Sequence, residues 1–213
     1  MRFVTVHICY PSVRLIKVNG YSLEIRFRIL SGRVDDAIVL LQTHFPSVLR
    51  ENDAGSASSE SRTAESRPLS NNNSEYVSST SIESVHLLLN LRILAFSEAC
   101  RTVPLDYPPS TDSALASSIS TPTQSPTDVD ENPDYQMALL TKAQKLYAFS
   151  NTLQNPLDRA TYLKELENVG GLLAYKIPEK SSMAKYLTLE RREAVADQIN
   201  RAILSKSFAY KFI

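Results

Sequence analysis

IESVHLLLNLRILAFSEACRTV, residues 82–103, is apolar around most of a helical circumference. At 3.6 residues per turn, Val85, Leu88, Leu89, Arg92, Phe96 and Ala99 fall on one side, and Leu87, Leu91 and Leu94 fall on another. A helix with one apolar stripe needs one neighbour, whereas a helix apolar on two sides must be packed on both. The stretch therefore predicts a central helix, and the flanking sequence has to supply elements for each of its faces.

Residues 135–210 carry the strongest periodicity. In YQMALLTKAQKLYAFSNTL (135–153), Leu139, Ala143, Leu146 and Ser150 share one helical face, with Leu140 and Tyr147 beside it. Asn155-Pro156-Leu157-Asp158 reads as an N-cap, a proline at the first helical position and an acidic residue at the third. A final helix in LTLERREAVADQINRAIL (187–204) takes Thr188 as its cap and presents Val195, Ile199, Ala202 and Ile203. The run Glu190 to Glu193, ERRE, reads as a solvated face. Between these helices stands LKELENVGGLLAYKIPE (163–179), where Gly170 and Gly171 interrupt an otherwise helical pattern. Each glycine costs a helix interior about 1 kcal/mol relative to alanine, so either the helix ends there or a neighbour approaches its backbone.

Upstream, RVDDAIVLLQTHFPSVLR (33–50) places Asp35 and Asp36 in the first turn of a helix with Val34, Ile38 and Leu41 on its apolar stripe. Pro46 ends that helix and opens a short one that turns Val48 and Leu49 inward. Residues 12–29 support two readings. Strict alternation from Tyr21 to Ile29 after Asn19-Gly20 is a hairpin signal, while Leu23, Phe27 and Leu30 share a helical face ended by Gly32.

Two tracts, 51–81 and 106–134, are dominated by Ser, Thr, Asn, Pro and charged residues, and too little apolar surface lies in them to offset the entropy of ordering. Both are expected to be disordered. Thr121-Pro122 and Ser125-Pro126 have the form of proline-directed phosphorylation sites, although such pairs arise by chance in any Ser/Pro-rich tract.

Composition excludes several function classes. The 213 residues hold 23 Lys plus Arg and 23 Asp plus Glu, so no net charge draws the chain to nucleic acid or an anionic membrane. No apolar run approaches the roughly 20 residues that cross a bilayer. Cys9, Cys100, His7, His44 and His86 share no metal-ligand spacing, and no two of them form a nucleophile and base pair with a mechanical reason for its spacing. Cys100 reads as a buried inert thiol, His86 as a flank residue and His44 as a cation at a helix end. Phosphate-loop and dinucleotide-loop glycine patterns are missing from the sequence, so no catalysis, cofactor or metal is expected. Cysteine usage suits a reducing, intracellular compartment, with a single disulfide between Cys9 and Cys100 as the alternative.

ILSGRVDDAIVLLQTHFPSVLREN (29–52) resembles the first half of a CTLH motif, and HLLLNLRILAFSEACR (86–101) resembles the second. From 135 to 210 the chain is similar to a CRA domain, including LLAY followed by a proline and by Tyr-Leu before the last helix. Their order resembles the carboxy-terminal part of RanBPM-type Ran-binding-protein scaffolds, with a fungal look. The resemblance implies an all-α antiparallel helical assembly: an unassigned segment 1–23, a CTLH motif 24–50 and 82–103 split by the disordered insert 51–81, a disordered linker 104–134 and a CRA domain 135–210. It makes the segment from about Leu23 to residue 31 a helix. It also carries the helix through Gly170 and Gly171 to LLAY, with close packing of a neighbouring helix at the two glycines; a break at Gly170 with a short helix from Leu172 is the competing reading.

Function follows from the same resemblance as an expectation. Members act as non-catalytic scaffold subunits of the GID/CTLH E3 ubiquitin ligase, cytoplasmic and nuclear, and bind other LisH-CTLH-CRA subunits or themselves. The SPRY domain and LisH motif that precede CTLH in that family do not fit in the first 23 residues, so the chain is expected to be a fragment, a truncated reading of the gene or a short form. Leu140, Tyr147, Leu173, Tyr175, Ile199 and Ile203 are the expected partner contacts, with ordinary core as the alternative residue by residue. The other function considered is a signalling adaptor for a GTPase or receptor tail outside any ligase.

Overall fold

The computed structural model describes residues 11–50, 77–105, 107–108 and 133–209. Most of the two expected disordered tracts, 51–76 and 109–132, lies outside the described residues. Regular structure among the described residues is helical throughout: α1 (Pro11–Leu30), α2 (Val34–His44), α3 (Pro46–Leu49), α4 (Ser84–Ala99), α5 (Pro133–Asn151), α6 (Pro156–Gly170) and α7 (Leu189–Ala209). Three short 3-10 turns, Gly171–Ala174, Pro178–Lys180 and Ala184–Leu187, connect α6 to α7.

Helix α4 is the axis on which two cores meet. Leu87, Leu91 and Leu94 enter one core, with Ile25 and Ile29 of α1, Leu41 of α2, Val48 of α3 and Val195, Ile199 and Ile203 of α7. Leu89, Ile93 and Phe96 enter the other, with Leu139 and Leu146 of α5, Tyr162 and Val169 of α6, and Leu172. Each fully buried Leu or Ile side chain contributes roughly 1.5–3 kcal/mol, so the two-sided apolar pattern of α4 is what joins the halves. The last helix lies with the first ones. Helix α7 packs on α1 as well as on α4, so the carboxy-terminal segment closes the core begun by the amino-terminal one.

Residues 12–29 form a helix, and it starts earlier than the Leu23 expected from sequence. Asn19 and Gly20 lie inside α1 and make no turn. The alternation that suggested a hairpin is two interleaved helical pairs: Ile25 and Ile29, four apart, are buried, whereas Leu23 and Phe27 lie on another side and are exposed. Ser22 Oγ donates to Asn200 Oδ1 at 2.9 Å, and Arg26 is paired with Asp197, which fixes α1 along α7. Gly32 ends α1 at φ +77°. Arg33 N–H donates to Arg28 O at 2.9 Å and Gly32 N–H to Ile29 O at 3.1 Å, the paired bonds of a Schellman stop. A Cβ on Gly32 would stand 3.2 Å from Glu98 Oε2 and 3.3 Å from Leu105 Cδ2, so glycine is required there twice over.

Other expectations hold locally. Asp35 and Asp36 sit in the first turn of α2, and Pro46 opens α3. The Asn155 side chain accepts the Leu157 N–H at 2.9 Å, with Pro156 at the first position of α6. His44 ends α2 and stacks on Tyr21 at 3.7 Å. Thr188, expected to cap α7, precedes it in extended conformation, but its hydroxyl donates back to Lys185 O at 3.4 Å.

Three expectations are corrected. The two arginines of ERRE are buried: Arg191 pairs with Glu165 and Arg192 with Glu98, both across helices. Residues 77–81, the end of the tract expected to be disordered, are docked. Val77 is in the first core, Ser78 donates to Glu165, and the carbonyls of Ser79 and Ser81 accept from Gln198 Nε2 at 3.0 and 2.6 Å. Finally, α6 ends at Gly170 and the chain tightens into a 3-10 turn from Gly171. Nothing lies within 4 Å of a Cβ built on Gly170, and Gly171 meets only the Met183 side chain at 3.6 Å. The glycine pair thus marks a change of helix type, and the expected close approach of a neighbouring helix is not there.

Candidate interaction surface

Polar groups inside the molecule are structural. His86, expected on a flank, is buried, with Nδ1 3.2 Å from the Tyr162 hydroxyl. That hydroxyl donates to Asn90 Oδ1 at 3.0 Å, and Asn90 Nδ2 donates to Gln198 Oε1 at 2.7 Å and to Ser79 O at 2.8 Å. Burial, with Glu165 nearby, pushes the Tyr162 phenol above its ordinary range. The network ties α4, α6, α7 and residues 79–81 together, with its members satisfied by one another. Burial pushes the Cys100 thiol up to about 12, so at neutral pH it is a protonated core residue and no nucleophile. Among the described residues no three of His, Cys, Asp and Glu come together as metal ligands would, and no helix is long and apolar enough to cross a membrane.

Outside, apolar side chains gather on α5. Its inward face is Leu139, Leu146 and Ser150, all buried. Leu140 and Tyr147, 44% and 53% exposed, stand seven residues apart, almost two full turns, so they overlie one another on the outer face. Met137, three residues before Leu140, extends the stripe at 62% exposed. The signal for this third residue was in the sequence periodicity, at spacing i, i+3 from Leu140. Leu173 and Tyr175 are exposed on either side of the turn from α6, next to the buried Leu172, and the Tyr175 hydroxyl lies 3.4 Å from Ser182 Oγ.

Ile199 and Ile203 are different. Each is 1% exposed and belongs to the core shared with α1 and α4, so neither offers a surface to a partner. Their stripe on α7 is satisfied within the chain because α1 lies along it. The six residues therefore divide: four exposed on α5 and after α6, two inside the opposite core.

Two further polar contacts fix turns and helix ends. Glu179, in the turn Pro178–Lys180, accepts from the backbone N–H groups of Thr102 and Val103 at 2.7 and 2.8 Å and from the Thr102 hydroxyl at 2.9 Å. Burial disfavours its charge, but these donors outweigh it and hold the carboxyl below its ordinary value. Lys206 of α7 donates to Ser47 O at 2.5 Å and Val48 O at 3.4 Å, a cation on the carbonyls of α3.

No curated protein and no solved structure matches the chain. A family model described as the CTLH/CRA C-terminal to LisH motif domain matches residues 22–207, from the middle of α1 almost to the end of α7. Both cores fall within that span, and the chain belongs to the CTLH/CRA family of non-catalytic protein-interaction domains.

Proposed function

We propose that this chain is a scaffold subunit of a CTLH-type E3 ubiquitin ligase complex and that it binds other CTLH/CRA subunits through the outer face of α5 and the turn after α6. One observation carries the reading: Met137, Leu140 and Tyr147 form an apolar stripe on a helix whose other face is already fully used by the chain's own core. Burying such a stripe under a partner removes apolar area from water at no cost to the fold. Leu173 and Tyr175 supply a second apolar contact. Membership of the family supports a protein partner, and the ligase assembly is the partner set that the resemblance to RanBPM-type scaffolds implies.

The test is co-expression with a small LisH-CTLH-CRA subunit, followed by size-exclusion chromatography with light scattering. A stable complex is expected, and Leu140→Asp with Tyr147→Asp should abolish it while leaving the helical circular dichroism unchanged. Two folded proteins eluting separately would overturn the scaffold assignment. Complex formation unaffected by the double substitution would overturn the assignment of the surface.

A further inference from the structure

A cleft of about 280 Å3 opens where α2, α4 and α5 meet. Its floor is apolar, from Ala95, Phe96 and Leu146, and Arg92, Lys142 and Lys145 stand around it, with Asp35 the single acid. None of the three cations takes part in an ion pair among the described residues. Arg92 Cζ lies over the Phe149 ring, 5.0 Å from its centroid, a cation–π contact. All three cations are exposed to solvent, and with a single acid beside them they make the field of the cleft positive, which suits it to an anion.

The sequence holds that anion close by. From Thr102 to Thr141 there is no Lys, Arg or His, while Asp112, Asp128, Asp130 and Glu131 fall in residues 109–132. The first cations after this acid-only stretch are Lys142 and Lys145 themselves. The anchored ends of the stretch also flank the cleft. On one side Leu105 reaches Gly32 and Tyr107 packs on Phe27 at 5.9 Å, just before the start of α2. On the other, the Tyr135 hydroxyl donates to Ala99 O at 2.6 Å, which sets the start of α5 against the end of α4. Asp128 lies five residues before Pro133, a reach of up to roughly 17 Å. Lys142 stands nine residues into α5, about 13 Å along its axis.

We infer that the cleft lined by Arg92, Lys142 and Lys145 is a docking site for the chain's own acidic segment, with the run Asp128-Val129-Asp130-Glu131 as its occupant. A short tether keeps the local concentration of that segment high, so docking needs only modest intrinsic affinity. Phosphate on Thr121 or Ser125 would add charge of the same sign to the segment and strengthen it. The inference does not depend on the outer face of α5 or on the ligase assignment, because it uses a different set of side chains.

Treatment of the full chain with a water-soluble carbodiimide joins a lysine amine to a carboxylate in contact with it, and peptide mapping of the monomer band identifies the pair. Links from Lys142 or Lys145 to Asp128, Asp130 or Glu131 are expected. Their yield should fall at least about fivefold in 1 M NaCl, where the Debye length is about 3 Å. The variant Asp128→Asn, Asp130→Asn, Glu131→Gln should raise the acetylation rates of Lys142 and Lys145 severalfold relative to Lys164, with the helical signal retained. Absence of links to the tract overturns the proposal. So does finding them only in dimer bands, which would make the occupant a second copy's segment, and so do acetylation rates that do not move.

Discussion

Loss of the Glu98 carboxylate should be felt strongly. Its side chain, 7% exposed at the end of α4, accepts from Arg101 Nε at 2.7 Å and Nη2 at 3.3 Å, and from Arg192 Nη1 at 3.2 Å. Burial pulls the Arg192 guanidinium below its ordinary value, Glu98 opposes that pull and Arg101 adds to it. Glu98→Gln keeps the shape but leaves the buried Arg192 and the part-buried Arg101 facing each other without the carboxylate between them. Removing one partner of a buried pair costs about 3–5 kcal/mol, a large part of the roughly 5–15 kcal/mol that holds a domain together. With a urea slope of about 2 kcal/mol/M, the midpoint should drop by about 1.5–2.5 M. The chain has no tryptophan, so helical circular dichroism is the signal to follow. The combined variant Glu98→Leu, Arg101→Met, Arg192→Met should recover most of the loss, because a buried ion cluster can be replaced by apolar side chains of similar volume. A Glu98→Gln midpoint equivalent to less than about 0.5 kcal/mol of destabilisation would refute the reasoning, since surface substitutions already fall in that range.

Two further outcomes are expected. Gly170→Ala should stabilise by about 0.4–1 kcal/mol, because Gly170 has helical angles of φ −59° and ψ −27° and open space where the Cβ would go. Gly32→Ala, at φ +77° and against Glu98 and Leu105, should destabilise by more than about 1 kcal/mol; the same urea titration checks both. Since the folded carboxyl of Glu179 is held below its ordinary value near 4.5, its contribution is fully present above that value and is lost as the pH falls through the lower folded one. The urea midpoint of Glu179→Gln should therefore lie below that of the parent at pH 7, and the gap should close below about pH 4.5.

Where one local signal dominated, the sequence was enough. Asn155 with Pro156, Pro46 and Gly32 each leave the backbone one inexpensive choice, and each element boundary falls as read. The two-sided helix was legible because Leu87, Leu91, Leu94 and Leu89, Ile93, Phe96 put apolar side chains on two sides of α4. What sequence alone misassigned depends on distant partners. ERRE looks solvated until Glu165 and Glu98 come from other helices to meet it, and residues 77–81 look featureless until Gln198 reaches their carbonyls. Ile199 and Ile203 could be read from sequence as partner contacts or as core, because the helix that covers them, α1, carried a competing strand pattern. The exposed pair on α5 was readable as a flank of the apolar face, but only burial separates a flank from an outer stripe.

Helix α7 closes a core whose other members, Ile25 and Ile29, lie some 170 residues earlier in the chain. During synthesis at roughly 5–20 residues per second, α1 and α2 leave the ribosome about 8–30 s before the helix that covers them. Through that interval the faces of α1, α2 and α4 that α7 will bury stay open to water and to other chains. A stop codon or cut before Leu189 would make that exposure permanent, and the product would be a substrate for chaperones and proteases even though every earlier helix were intact.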